Sequence, residues 1–339
     1  MSLSFPGAPT CSLSVALLAV ILLPGHGHAE EVRKADPYGT FSVTYENDLF
    51  AGTDRYYTSG IQLDWRSPTF SPQPWLSWLT SSTLLFPQGG TTRWGASFGQ
   101  SIFTPGDTVR RVPDATDRPY AGWLYGSLSL ISYTPTEYGS VELQLGVVGP
   151  SALGRQAQNG VHNLRNLPRA NGWDYQLKDE LGANLIFSRQ WRWNQELGFG
   201  GISAGLVPSV TASIGNVHSY ASAGVVMRFG SNLTADFGPP RSRPAISGSA
   251  FFEPEDRFSW YAFAGLEGRA IARNMFLDGN TWQQGPSVNR LPWVADASIG
   301  LVMMFNRVRL TTSYTFRTRE FSAQPQAAQF GSISLSFRF

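Results

Sequence analysis

Cysteine, charge and long apolar runs are all scarce in this chain of 339 residues. Cys11 is the single cysteine, so no disulfide framework, cysteine metal site or cysteine nucleophile is available beyond it. Charged residues make up 15% and aromatic residues 13% of the chain, whereas a soluble globular protein has roughly 25% charged residues. After residue 30 no apolar run reaches the ~18 residues of a transmembrane helix, so we expect any membrane span to be a β-barrel.

The N-terminal segment has the pattern of an export signal. An apolar run from Leu13 to Leu23 precedes Pro24 and the small-x-small sequence Gly27-His28-Ala29. This pattern is typical of a cleaved secretory signal peptide over residues 1–29, followed by one exported domain over residues 30–339. The formal net charge of +2 indicates no nucleic-acid partner.

Alternation of apolar and polar residues recurs through the exported region and predicts twelve antiparallel strands. An even number of strands suits a single-chain outer-membrane barrel. The predicted fold class is therefore all-β, a twelve-stranded antiparallel transmembrane β-barrel with a short helix in an outer loop. The predicted strands are 39–48, 56–67, 93–103, 121–134, 139–149, 182–194, 196–208, 217–229, 258–273, 292–305, 307–320 and 329–339. In the last strand one face carries Ile333, Leu335, Phe337 and Phe339.

With both termini on the periplasmic side, the connections after odd-numbered strands face outward from the cell. The connection 150–181 is long, and its residues 152–167 have helical periodicity that Pro168 ends. We expect its apolar stripe, Leu153, Ala157, Val161 and Leu164, to lie against the barrel wall, with Gln158, His162 and Arg165 on a neighbouring face. The inward connection 230–257, rich in Pro, Gly and Ser, is predicted to be a plain loop.

Polar residues gather in the outward connections and offer two kinds of chemistry. Asn47, Asp48 and Thr58 bring carboxylate, amide and hydroxyl oxygens, which suit a hard cation such as Ca²⁺, although Asn and Asp are also common turn residues. His162 has the ordinary side chain for a general base at neutral pH, or it is a surface residue. Outward-facing arginines can pair with phosphate, or they form a solvated rim; they are Arg110, Arg111 and Arg118.

Several segments, in order along the chain, resemble the LpxR-type lipid A deacylases of the Gram-negative outer membrane. They are Glu46-Asn47-Asp48, Tyr57-Thr58-Ser59-Gly60, Asp117-Arg118-Pro119-Tyr120-Ala121-Gly122-Trp123, Gly149-Pro150, Gln156-Ala157-Gln158-Asn159-Gly160-Val161-His162, Gly172-Trp173-Asp174-Tyr175-Gln176-Leu177, Arg273-Asn274 and Asp278-Gly279-Asn280. Together they span most of the exported region. No single segment is specific, but the ordered set is.

The resemblance implies a monomeric outer-membrane enzyme that removes the 3′-linked acyloxyacyl chain of lipid A in a Ca²⁺-dependent reaction. Its site would lie between the barrel wall and an outer-loop helix, in contact with lipopolysaccharide and other outer-membrane lipids. By the same resemblance His162 is the base that activates water, Asp48 and Asn47 hold the cation, and Thr58 and Asn47 complete the catalytic group. The expected substrate-binding residues are Arg110, Arg111, Arg118 and Gln158.

Two features depart from that pattern. Family members carry a glutamate six residues after the histidine, where this chain has Pro168, so we expect an acidic residue further along to orient His162: Asp174, Asp179 or Glu180. Simple alternation also places Asn47 on the lipid-facing side but Asp48 and Thr58 on the lumen side. A β-bulge or the end of the strand ladder is therefore needed to bring them together.

Two other classes of protein are compatible with the sequence. One is a passive barrel, a small channel or structural protein that binds lipopolysaccharide without chemistry, although a twelve-stranded lumen is expected to be filled by side chains. The other is a serine-dependent outer-membrane phospholipase, in which Ser59 would be the nucleophile.

Overall fold

The computed structural model describes residues 35–48, 56–70, 80, 82–198, 200–239 and 248–339, so the predicted signal peptide over 1–29 lies outside the described residues. The strands are β1 (Thr40–Asn47), β2 (Tyr56–Arg66), β3 (Thr91–Thr104), β4 (Ala121–Tyr133), β5 (Glu137–Val148), β6 (Glu180–Trp191), β7 (Trp193–Glu196), β8 (Ile202–Gly215), β9 (His218–Ser231), β10 (Phe258–Asn274), β11 (Trp293–Phe305), β12 (Val308–Arg317) and β13 (Ala328–Arg338). The α-helices are α1 (Gly154–Leu164) and α2 (Met275–Asp278). None of the described helices is both long and apolar enough to cross a membrane.

Twelve of the strands form one closed antiparallel barrel. Each strand pairs with its neighbours in sequence, and β1 pairs with β13 from Thr40 opposite Arg338 to Asn47 opposite Gly331. The strand β7 is extra, because β6 pairs directly with β8 and β7 only extends that ladder over four residues. Closure leaves no open edge, which is what a sheet surrounded by lipid requires. The predicted all-β, twelve-stranded barrel is confirmed.

The two faces of each strand meet different surroundings. In β13 the side chains of Ile333, Leu335 and Phe337 are exposed on the outside, while Ser332 and Ser334 are buried toward the lumen. This arrangement agrees with the faces predicted from alternation. Because connections between strands alternate between the two ends, the end that carries both termini is called the inner rim and the opposite end the outer rim.

The prediction of a strand over 196–208 is wrong. The chain turns through Gly198, Gly200 and Gly201, all with positive φ, and β8 begins only at Ile202. Pro208, taken as the end of the strand, lies in its middle, between the residues of β8 that pair with β7 and those that pair with β6. A proline has no N–H to donate, and at this junction neither β6 nor β7 requires one.

The inner connection predicted to be a plain loop instead folds into the barrel. Of its described residues, Phe237, Phe251 and Phe252 are buried among inward-facing side chains of the strands. Asp236 is buried with them, and its carboxylate accepts hydrogen bonds from Arg228 and Arg309, both at 3.1 Å, and from the Tyr261 hydroxyl at 2.9 Å. These ion pairs join the segment to β9, β10 and β12.

The outer end of the lumen is filled by the connection that carries α2. Met275 and Phe276 of α2 are fully buried against Tyr57, Phe103 and Phe330. The rings of Phe103 and Phe276 are stacked with centroids 4.2 Å apart. Side chains therefore pack both ends of the barrel interior.

We predict that Asp236→Asn lowers the free energy of unfolding by about 3–5 kcal/mol, because the change leaves two buried arginines without a counter-charge. Guanidinium titration of the refolded barrel in detergent micelles measures this quantity. Asp256→Asn is the matched control, because Asp256 is exposed in the same connection and its loss should change stability by less than about 0.5 kcal/mol. Equal effects of the two substitutions would contradict the assigned role of Asp236.

Candidate active site on the outer wall of the barrel

The helix α1 begins against the outside of the barrel, over β3 and β4. A methyl group added to Gly122 would lie 3.1 Å from Ala152 Cβ and 3.4 Å from Gly154 Cα. The Gln100 amide donates to the Ala152 carbonyl at 2.6 Å. Gly122 and Gln100 alternate along their strands with buried, lumen-facing residues, so their contacts with the helix segment lie on the outer face.

The other end of α1 reaches β1. Arg165, the C-cap residue, lies near enough to the Tyr45 hydroxyl of β1 for an electrostatic interaction. A helix of 11 residues is about 16 Å long, and three strand spacings from β4 to β1 amount to about 14 Å. The helix therefore crosses the outside of the wall from β4 to β1.

The helix turns a polar face to the wall. Gly154, Gln158 and His162, each four residues apart, are its buried residues, and Gln158 and His162 are only 3% and 2% exposed. Val161 and Leu164, which belong to the predicted wall-facing stripe, are exposed. The expectation that the apolar stripe packs on the wall is therefore wrong for Val161 and Leu164, whereas Ala157 packs against the buried cluster of Ile102, Tyr120, Ala170 and Trp173.

His162 is oriented by a backbone carbonyl. Its Nδ1 lies 2.5 Å from the Pro168 carbonyl oxygen, which can only accept a hydrogen bond, so Nδ1 carries the proton and Nε2 is the basic nitrogen. The acidic residues expected in this role are engaged elsewhere. Asp179 accepts from the Ser151 backbone N–H at 2.7 Å and Glu180 from the Thr281 backbone N–H at 2.9 Å.

The third expected acid, Asp174, pairs with Arg155 on the outside of α1. The hydrogen bond from the Arg155 guanidinium lowers the pKa of the Asp174 carboxyl. This pair ties the segment after the helix back onto the helix. The prediction that one of the three acids orients His162 is therefore wrong.

A tryptophan that sequence reasoning did not single out fixes Gln158. The Trp173 indole N–H donates to Gln158 Oε1 at 2.8 Å, and the indole is buried against Tyr120 and Gly154. With Oε1 engaged, the amide nitrogen Nε2 of Gln158 is a donor, and it is buried with no hydrogen-bond partner among the described residues. The only sequence signal for Trp173 is its place in the Gly172–Leu177 segment.

On the wall side, Asn47 faces outward. Its amide Nδ2 donates to the Tyr45 hydroxyl at 2.9 Å, and the two residues share the outer face of β1. Asp48 directly follows the last residue of β1, where strict alternation ends. Both residues are buried. The Asn47 side chain thus lies on the same side of the wall as α1, and Asp48 is its neighbour in sequence.

A β-bulge brings Thr58 to that side. The pairing of β2 with β3 shifts between Tyr57 and Ser59, so Thr58 is an extra residue in β2. Tyr57 points inward and donates to Glu46 Oε2 at 2.9 Å, whereas the Thr58 hydroxyl shares a 2.6 Å hydrogen bond with the hydroxyl of Thr104, at the outer-face end of β3. The bulge that the expected site requires is therefore present.

The arginines predicted to bind substrate occupy two different environments. Arg118 is completely buried, donates to Glu320 Oε2 at 3.1 Å, and lies over the ring of lumen-facing Phe103. It points into the barrel, so its predicted contact with lipid phosphate is wrong. Arg110 and Arg111 are exposed at the outer rim.

The oxygen donors on the wall fit a hard cation only in part. Asp48 supplies a carboxylate and Asn47 an amide oxygen, the ligand types that Ca²⁺ takes. Within the described residues no group of three or more His, Cys, Asp or Glu side chains is placed to hold a metal ion.

This geometry defines an outer-membrane β-barrel with a polar, partly buried site on the outside of its wall. Residues 13–339 match the family model described as outer membrane protein LpxR, and the chain belongs to that family. The resemblance drawn from the ordered segments is thereby confirmed.

One solved structure supports the fold. LpxR from Salmonella typhimurium superimposes with a TM-score of 0.73 at 19% identity, over 88% of this chain and 100% of that chain. The β domain of the Bordetella autotransporter BrkA covers 91% of this chain and 99% of its own, with a TM-score of 0.43 and 12% identity. No curated protein sequence matches.

We predict that Gly154→Ala displaces the start of α1 from the wall, because the new methyl group would lie 2.6 Å from the buried Trp173 ring and 3.4 Å from Gly122 Cα of the wall. Trypsin cleavage after Arg155 and Arg165 should become several-fold faster. Gly160→Ala is the control, because its methyl group meets no atom within 4 Å and alanine favours a helix by about 1 kcal/mol over glycine. Equal cleavage rates for Gly154→Ala and the unmodified protein would contradict the close helix–wall contact.

Proposed function

We propose that this protein is a calcium-dependent lipid A 3′-O-deacylase, which hydrolyses the ester of the 3′-linked acyloxyacyl chain in the outer leaflet. Membership of the LpxR family supports a lipid A deacylase role. The observation that carries the proposal is the buried polar face of α1, on which Gln158 and His162 follow Gly154 at intervals of four residues, and Gly154 packs on Gly122 of the barrel wall. A lipid in the outer leaflet reaches this side of the wall, whereas a solute in the lumen does not.

His162 acts as the general base. Its Nδ1–H is held by the Pro168 carbonyl, so Nε2 takes the proton from a water molecule as the water oxygen attacks the ester carbonyl carbon. Collapse of the tetrahedral intermediate breaks the bond to the sugar O3′, and Nε2 returns the proton to that oxygen. The products are the free acyloxyacyl acid and a 3′-hydroxyl, and no covalent enzyme intermediate is needed.

Gln158 stabilises the charge that develops on the carbonyl oxygen. Its Oε1 is held by the Trp173 indole, and its buried Nε2 has no hydrogen-bond partner among the described residues, so both hydrogens of Nε2 are available to a substrate oxygen. A buried, fixed donor of this kind acts most strongly in the transition state, because no water has to be reorganised. Thr58, fixed by Thr104, supplies a further hydroxyl on the wall side for the attacking water or the substrate.

Asp48 and Asn47 are the residues that would hold Ca²⁺, which when bound polarises an ester carbonyl. Arg110 and Arg111, exposed at the outer rim, are placed to pair with the phosphate groups of the lipid headgroup. We expect the protein to act as a monomer, because one chain supplies all of these groups.

The test is the mass of lipid A extracted after incubation with the purified, refolded barrel in the presence of calcium. We predict loss of the 3′-linked acyloxyacyl chain with the unmodified protein and a rate about 10²–10⁴-fold lower with His162→Ala, as for removal of a general base. Gln156→Ala, which replaces an exposed residue of the same helix, should keep full activity. Chelation of calcium should abolish activity, and added calcium should restore it.

Unchanged lipid A with the unmodified protein in calcium would overturn the proposal. Labelling of Ser59 by a fluorophosphonate, with phospholipid hydrolysis, would assign the protein to the serine-dependent class instead. Conductance in planar bilayers without deacylation would assign it to the passive barrels.

A further inference from the structure

A helix that packs on a barrel in water needs a buried face toward the barrel and a polar face toward the water. The helix α1 has a third face, which is apolar and exposed. Successive residues are about 100° apart around a helix axis, so the buried face of Gly154, Gln158 and His162 is separated from this apolar face. The apolar face is called the apolar flank and consists of Leu153, Val161 and Leu164. Leu153 is 48%, Val161 37% and Leu164 86% exposed.

The loop that follows α1 covers the side away from the apolar flank. The Asn159 side chain accepts from the Ala170 backbone N–H at 2.9 Å, and Arg155 pairs with Asp174. Around the helix axis, the buried face has the apolar flank on one side and Arg155 and Asn159 on the other. The protein therefore covers one side of α1, and on the apolar side Ala157 packs against the protein while Leu153, Val161 and Leu164 stay exposed.

The apolar flank lies at the edge of the lipid-facing band of the barrel. Gln100 contacts the start of the helix segment, and Phe98, two residues closer to the inner rim on the same face of β3, is 54% exposed. Two strand residues span about 7 Å. Leu128 continues the same apolar band on β4. The flank is thus continuous with the surface that contacts acyl chains.

The backbone of Leu153 adds an independent observation. Leu153 is the N-cap of α1 and has the left-handed conformation, with φ 60° and ψ 24°. Glycine or asparagine takes this conformation with less strain than leucine does. A strained leucine that keeps an exposed side chain gains nothing in water, whereas its side chain is stabilised in hydrocarbon.

We propose that the apolar flank rests among the acyl chains of the outer leaflet, so that α1 is an interfacial membrane helix as well as one wall of the candidate site. An amphipathic helix in this position buries its apolar side in the boundary between headgroups and acyl chains. The contact holds the polar face of α1 at the depth where the ester bonds of a membrane lipid lie. It does not depend on whether the site is catalytic.

The sequence makes a direct test practical, because Cys11 is the only cysteine. In a Cys11→Ser background, a nitroxide is attached at Leu164→Cys or, separately, at Val161→Cys, and each protein is reconstituted in dimyristoylphosphatidylcholine vesicles. Collision of the nitroxide with oxygen and with a water-soluble nickel chelate is then measured by electron paramagnetic resonance. Leu128→Cys is the lipid-exposed control, and Gln156→Cys is the control on the polar side of α1.

The proposal predicts an oxygen-to-nickel accessibility ratio at positions 161 and 164 that approaches the ratio at 128 and is several-fold above the ratio at 156. Ratios at 161 and 164 equal to the ratio at 156 would overturn it. Two labelled positions keep the test decisive if one variant fails to refold. Because no activity is measured, the outcome is independent of the proposed deacylase function.

Discussion

Each of the twelve barrel strands separates lipid from a packed interior, and the pairing of β1 with β13 is the interaction that makes this separation possible. In a bilayer no water satisfies an unpaired strand edge, so the sheet must close on itself. Closure fixes the register of all twelve barrel strands, and the register fixes which side chains meet lipid. The apolar outside, the buried serines of β13 and the ion pairs around Asp236 all follow from this one constraint.

The candidate site lies where that constraint relaxes. Near the outer rim β1 ends at Asn47, and β2 carries an extra residue at Thr58. Tyr57 is held inward by Glu46, and a methyl group on Gly60 would collide with the Tyr57 hydroxyl, so the inner side of the bulge is closely packed. These local departures turn polar side chains toward a surface that would otherwise be apolar. The α1 helix packs on the outside of the same wall, beginning over β3 and β4.

Much of the fold follows from the sequence, because strands with lipid on one side and packed polar groups on the other keep a strict period of two. The strand predicted over 196–208 was wrong because β8 pairs with β7 before Pro208 and with β6 after it. No local sequence pattern reveals this change of partner. The inner connection was expected to be a plain loop because its Pro, Gly and Ser content conceals the few aromatic residues and Asp236 that fill the lumen.

The site could be predicted in part. The short ordered segments bring out Asn47, Asp48, Thr58, Gln158 and His162. The structure turns Asn47 and Thr58 to the outer face of the wall and buries Gln158 and His162 on the face of α1 that carries Gly154. The predicted orientation of α1 was wrong because it assumed that an apolar stripe faces the protein. This assumption is valid only for a helix whose other side is in water. Arg118 could not be told from an exposed arginine, since its partner Glu320 is 202 residues away in sequence. A backbone carbonyl such as that of Pro168 has no signature in a sequence at all.

The central claim is that the helix and the wall meet as the two halves of one site outside the barrel. The most direct test introduces Thr58→Cys and His162→Cys together in the Cys11→Ser background and treats the refolded barrel with a short bismaleimide. A cross-linked form of altered gel mobility is predicted for this pair. No cross-link is predicted for Thr58→Cys combined with Gln156→Cys, whose side chain is exposed and faces away from the wall. The absence of a cross-link between positions 58 and 162 would contradict the account.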